Sequence, residues 1–166
     1  HKNQKYLVNK VNYYKKVWYL YQIHGWLFAL DKNYNKFELA NKILKPSYIS
    51  LQSALGFHGI NFQYEDTIFV IANKTYDTII DNNKICFRFF KKDLRENLDG
   101  IENLNWFSIA SKERSILDTL YLYKDYYFDN LHGIDWEKAE SLLKIYGSKI
   151  LEKRFYLLKE NYGTNN

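Results

Sequence analysis

Apolar residues near the start of the chain fall about one helical turn apart. In KYLVNKVNYYKKVW, Leu7, Val11, Tyr14 and Trp18 recur at this spacing and predict one apolar packing face of an amphipathic helix. Lys5, Asn9, Asn12 and Lys16 repeat the rhythm on the opposite side, giving the same helix a Lys/Asn face. The pattern then changes. WYLYQIHGWLFAL holds two strand-like runs, Trp18 to Ile23 and Trp26 to Leu30, around His24-Gly25. Glycine there permits the positive backbone angle that a tight hairpin needs. A helical rhythm returns in FELANKIL and should stop at Lys45, because the only proline, Pro46, disfavours a helical conformation in the residue before it. In PSYISLQSAL, Ser47 or Ser50 can cap a restarted helix with Leu51, Ala54 and Leu55 inward.

Beyond that corner the pattern predicts a mixed domain. GFHGI closes the restarted helix at Gly56 or Gly59. DTIFVIA, TYDTII and KICFRFF are three β-rich runs separated by Asn, Lys and Asp turns, expected as an antiparallel meander, and NWFSIA adds a further strand. In SKERSILDTLYLYK, Ser111 is the expected N-cap, Ile116, Leu117, Leu120 and Tyr121 point inward, and Arg114 and Asp118 stand four apart, the spacing of an intrahelical ion pair. Asp135 caps WEKAESLLKIY, Gly147 stops it, and a last helix runs through KILEKRFYLLKE.

Composition narrows the class. The chain has 166 residues, 46% of them hydrophobic, enough for a packed core without disulfide staples. The longest apolar run, VWYLYQIHGWLFAL, is 14 residues and is interrupted by Gln22, His24 and Gly25, too short to span a bilayer. No leader pattern precedes it and Cys86 is the only cysteine, which together predict a cytoplasmic protein. The chain opens on histidine and contains no methionine, so we expect it to begin inside a longer product or at a tag scar.

Charge is segregated. Residues 1–45 carry nine lysines against Asp31 and Glu38, a balance of +7, whereas residues 46–166 carry a balance of −2. A basic segment joined to a neutral body points to a polyanion partner. The plain alternative is codon bias in an AT-rich genome, which enriches Lys, Asn, Tyr and Ile together but does not separate charge along a chain. Asn can pair with adenine in the major groove while Lys reaches phosphate or guanine, so the Lys5, Asn9, Asn12, Lys16 face fits a recognition helix; a solvated helix face has the same composition. The hairpin favours the first reading, because a helix followed by a β-hairpin is the second half of a winged helix-turn-helix. Lys15 joins the basic face, and Gln22 and His24 fall near the wing tip, where they could meet the DNA backbone or minor groove.

Enzymatic chemistry finds little support. His1, His24, His58 and His132 have no metal-ligand spacing with one another or with Cys86, and no G-x-S-x-G, P-loop or H-E-x-x-H occurs. Glu113 and Asp118 are five apart on a predicted helix and face different ways. The Gly-Ser at 147 has no Asp-x-Asp after it to hold two metal ions on a triphosphate. We therefore expect no catalytic residues, no metal and no cofactor.

ELANKILKPSYISLQSALGFHGI after a GWLFAL strand, and later FSIASKERSILDTLYL, resemble the signatures of the AbiEi-like antitoxin family, bacterial transcriptional regulators of type IV toxin-antitoxin, or abortive-infection, systems. The resemblance covers roughly residues 11–124 in separated blocks. It implies an α+β protein with a partial winged helix-turn-helix at 1–45, its upstream helices missing, and a C-terminal α/β domain at 46–166 with an antiparallel sheet and C-terminal helices. It also implies phage defence through repression of its own promoter, with double-stranded DNA as partner and a functional link to a nucleotidyltransferase-like toxin. The expected DNA contacts are Lys5, Asn9, Asn12, Lys15, Lys16, Gln22 and His24, assigned from helix and hairpin geometry. Pro46, Ser47, Ser50, Arg114 and Asp118 are expected to be architectural, with phosphate binding at Ser47 or Ser50 as the functional alternative. The competing class is a protein-interaction module whose mildly acidic, aromatic-rich C-terminal domain binds a protein partner without DNA.

Overall fold

The computed structural model describes residues 2–17, 19–63 and 65–163. Trp18, expected on the first apolar stripe and at the start of the first strand, lies outside the described residues. The protein is α+β, with a six-stranded mixed sheet, a separate two-stranded antiparallel sheet and, among the described residues, seven helices.

Helix α1 (Lys2–Lys16) leads into a hairpin of β1 (Tyr21–His24) and β2 (Leu27–Ala29), which pair only with each other. Gly25 takes φ +48° in the turn, the left-handed conformation expected of it. The strands are shorter than the apolar runs that predict them. Asn35 then caps α2 (Lys36–Ile43), its side chain accepting from the backbone N–H groups of Phe37 and Glu38. Leu44 is already extended, so the helix ends where the proline argument requires.

The restart after Pro46 differs from the expected capped corner. Tyr48–Ile49 forms a two-residue strand, β3, in the middle of the large sheet. Helix α3 (Leu51–Phe57) follows with Ser50 at its N-cap, but neither serine caps the helix as expected: Ser50 makes no side-chain cap bond. Its hydroxyl donates instead to the Asp118 carboxylate at 2.7 Å, and Ser47 accepts from the Asn41 amide at 3.4 Å. The charge-assisted bond to the buried carboxylate orients the Ser50 side chain toward Asp118. Leu51, Ala54 and Leu55 are fully buried as expected. Gly59, at φ +71°, ends the helix, and Ile60 N–H closes back on the Leu55 carbonyl at 2.8 Å.

The large sheet contains β4 (Ile68–Ala72), β5 (Tyr76–Ile80), β6 (Asn83–Phe89), β7 (Ile101–Leu104) and β8 (Phe107–Ala110) in addition to β3. Its order is β5-β6-β4-β3-β8-β7, with β4/β6 and β3/β8 parallel and the other pairs antiparallel. The expected antiparallel meander of β4, β5 and β6 is therefore corrected, as is the wholly antiparallel sheet. β6 inserts between β4 and β5 and runs parallel to β4. Burial explains the swap: Ile85, Cys86 and Phe87 of β6 are at most 3% exposed, whereas β5 exposes Tyr76, Asp77 and Ile79 and belongs at the edge. Asp81 and Asn82, both at positive φ, form the two-residue turn that joins β5 to β6. Helix α4 (Lys92–Glu96) and strand β7 had no counterpart in the sequence reading.

Three helices complete the body: α5 (Lys112–Leu122), α6 (Trp136–Leu143) and α7 (Lys149–Tyr162). Ser111, Asp135 and Ser148 cap them by accepting from Arg114, Lys138 and Leu151 N–H groups. Gly147, at φ +55°, lies between α6 and α7. Helix α5 packs on α3, α6 and α7, while α2 packs on β3, β4 and β8. Leu39 and Ala40 of α2 consequently belong to the same buried cluster as Val70, Ile116 and Phe155. The core thus reaches across Pro46 instead of stopping at the charge boundary.

Candidate functional site

Two groups of residues singled out by the sequence stand in opposite physical settings. Lys5, Asn9, Asn12 and Lys16 are all exposed along α1, forming an uninterrupted polar ridge. The other side of α1 is not the packing face its rhythm predicts: Leu7 is 60% exposed and Tyr14 37%, and Val11 alone of the described stripe is half-buried. The hairpin turns back toward α1 here. Lys15 is half-buried and bonds the Gln22 side-chain oxygen, with its ammonium 6.0 Å from the centre of the Phe28 ring. The Gln22 amide donates to the Gly25 carbonyl at 2.6 Å. Lys15 and Gln22 thus brace α1 and the hairpin turn instead of standing free on the ridge, while His24 is exposed.

The hairpin is also tied to the body. Tyr21 and Tyr34 both donate to the Asp81 carboxylate, at 2.8 and 2.6 Å, and Asn83 donates to the Tyr34 hydroxyl at 3.0 Å. Hydrogen bonds from Tyr34 and then Tyr21 hold the Asp81 carboxyl below its ordinary value. Burial, reinforced by the bond to Asp81, pushes the Tyr34 phenol up to about 12.

The proline-serine block and the SKERSILD block, far apart in sequence, meet in a buried ionic network. Arg114 and Asp118 have no exposed surface, and Arg114 Nε donates to Asp118 Oδ1 at 3.2 Å. Tyr146 and Ser50 hydroxyls donate to the two carboxylate oxygens at 2.6 and 2.7 Å. The remaining guanidinium nitrogens donate to the carbonyls of Asp99 (3.0 Å) and Leu94 (2.8 Å) and to the Tyr48 hydroxyl (3.2 Å). Burial pushes the Asp118 carboxyl up, against the pull of Arg114 and three hydroxyl donors. Burial also works against the Arg114 charge, but the Asp118 carboxylate opposes it and the guanidinium stays above its ordinary value. We take the pair as ionised, since five hydrogen bonds in addition to the ion pair satisfy both groups. Burial first, then the Asp118 charge, holds the Tyr48 and Tyr146 phenols well above the usual range. Glu113, by contrast, turns out to Lys138 at 2.7 Å and accepts from the Ser111 hydroxyl at 2.9 Å. The two carboxylates serve different partners and share no site.

A third feature went unread in the sequence. A cleft of about 650 Å³ opens beside the proline corner, lined by residues of α2, the α4 end and the β7–β8 hairpin, including Lys45, Ser47, Arg95, Asn105 and Trp106. Trp106 is 73% exposed at the hairpin tip. Its setting was hidden because NWFSIA reads as one strand, although the chain turns at Asn105, with φ +48°. Among the described residues no three His, Cys, Asp or Glu side chains come together as a metal site, and no helix is long and apolar enough to cross a membrane. No known family profile matches the chain, and no curated protein matches it.

Proposed function

We propose that this protein is a cytoplasmic DNA-binding transcriptional repressor of the AbiEi-like kind. It would act as the antitoxin of a type IV toxin-antitoxin, or abortive-infection, system and counteract a nucleotidyltransferase-like toxin. The observation that carries this reading is the exposed Lys5, Asn9, Asn12, Lys16 ridge beside a separate β-hairpin. In this reading α1 and the hairpin are the recognition helix and wing of a partial winged helix-turn-helix. Asn9 and Asn12 read adenine edges in the major groove, Lys5 and Lys16 hold phosphates, and His24 meets the backbone from the hairpin. Binding at its own promoter blocks polymerase.

Fluorescence anisotropy with duplex DNA from upstream of its own gene, measured over a range of salt, tests this reading. Affinity should fall as salt rises, and the Lys5→Ala/Lys16→Ala double variant should flatten the log–log slope by about two. An unchanged slope, or no binding at low salt, would overturn it. The exposed Tyr6, Leu7, Val8 and Tyr13 side chains favour a second reading, a module that binds a protein partner through α1. Partner binding that is flat with salt, in the absence of any DNA shift, would select it.

A further inference from the structure

The proline-corner cleft is separate from the Lys/Asn ridge and does not depend on the DNA reading. Its size is that of a small-molecule site. Three of its polar side chains keep donors without acceptors: Lys45, Ser47 and Asn105. Lys45 has no ion pair among the described residues, and the Asn105 side chain makes no hydrogen bond there. The Ser47 hydroxyl accepts one long bond from Asn41, leaving its own proton uncommitted.

Arg95 is the decisive member. It is only 9% exposed and lines the cleft, with two nitrogens committed, to the Phe90 carbonyl at 3.1 Å and to Glu96 at 3.0 Å. Its Nε is buried without any partner. A buried cationic donor left unsatisfied is costly, and an anion in the cleft would offset that cost through the field of the guanidinium and not by a bond to Nε, which has no exposed surface. Glu96 offsets one charge, so Lys42, Lys45 and Arg95 leave the lining net positive even though Lys42 also pairs with Glu38. Beside these donors stands the exposed Trp106 indole.

We infer that this cleft binds a nucleotide, its phosphate held by Lys45, Ser47 and the Arg95 field and its base stacked on Trp106. Phosphate suits a set of convergent cationic and hydroxyl donors, and a planar base suits an open indole face. The same chemistry could come from a free mononucleotide or from an unpaired nucleotide in a strand.

Calorimetric titration of the whole chain with AMP, and in parallel with adenosine, inorganic phosphate and a single-stranded oligothymidylate, tests the inference. AMP should bind saturably, and more tightly than adenosine or phosphate alone. Lys45→Glu and Trp106→Ala, both at exposed positions outside the buried network, should each weaken it by roughly tenfold while circular dichroism and duplex-DNA affinity stay unchanged. No saturable AMP binding, binding of the oligonucleotide alone, or AMP affinity indifferent to both variants would overturn it. Duplex-DNA binding lost in α1 variants with AMP binding intact separates the two functional readings.

Discussion

Arg114 has no surface in contact with water, yet its guanidinium is matched bond for bond: Asp118, two backbone carbonyls and a phenol surround it. Gly100, at φ +72°, lies so close that an added Cβ would meet Arg114 Cβ and Leu142 Cδ1 at 3.0 Å, so the loop before β7 is shaped around this side chain. Removing one partner strands the other charge in a medium that cannot solvate it. Asp118→Ala should therefore cost about 3–5 kcal/mol, and Ser50→Ala about 1.5–3 kcal/mol through loss of a hydrogen bond to a charged group. An Arg114→Met/Asp118→Leu double replacement should cost less than the two single changes added together, since no charge is left unpaired. Urea unfolding of the two single variants and the double variant checks this; strict additivity would mean that the pair is not coupled. The sequence showed the four-residue spacing of Arg114 and Asp118, because that is a local pattern. It could not show that Ser50, 68 positions earlier, completes the site, nor which of sixteen tyrosines join it, because rings bury in any setting.

At the scale of elements, the long periodic segments and two of their caps were legible: Ser111 and Asp135 start α5 and α6, where local chemistry suffices, whereas the Ser148 cap of α7 was not read. Strand partners were not legible, since the choice between β5 and β6 as the neighbour of β4 is made by burial on both faces of a sheet that no short window contains. The β1–β2 hairpin illustrates both cases. Its turn glycine was readable, whereas its attachment through Tyr21, Tyr34 and Asp81 spans about sixty residues. That latch sets the hairpin's position relative to the body and is tied to ionisation. The Asp81 carboxyl lies below its ordinary value of 3.8, so its contribution is present above that pH and is lost as pH falls through the lower folded value. Asp81→Asn keeps a residue suited to φ +48° and removes the charge. It should lower amide protection across Tyr21–Ala29 while leaving β4 and β6 unchanged. Hydrogen exchange followed by NMR reads this directly, and equal loss in the sheet would show that the latch supports the whole fold and not the hairpin alone.

For the molecule as a whole, the distribution of phenols sets an alkaline limit. Tyr48 and Tyr146 sit buried beside the Asp118 carboxylate, and ionising either would place a second negative charge beside the first in a dry interior. Tyr34 carries the same constraint more weakly at the latch. Each of these groups has a folded value above the ordinary 10.0, so the unfolded chain releases protons that the native state retains. Their contribution to stability is complete below about pH 10 and is lost progressively as pH rises through the folded values. Urea midpoints should thus begin to fall near pH 10. The buried phenols Tyr48 and Tyr146 should ionise only as the chain unfolds. Tyrosinate absorbance should accordingly show a step that coincides with loss of circular dichroism. A Tyr146→Phe variant removes one ionisable group but also a donor to Asp118, so it should be less stable at neutral pH and lose stability less steeply above pH 10. Ionisation of Tyr48 and Tyr146 with the circular dichroism retained would mean that they reach solvent without unfolding, and the core between α3, α5 and α6 would not be closed as the buried network requires.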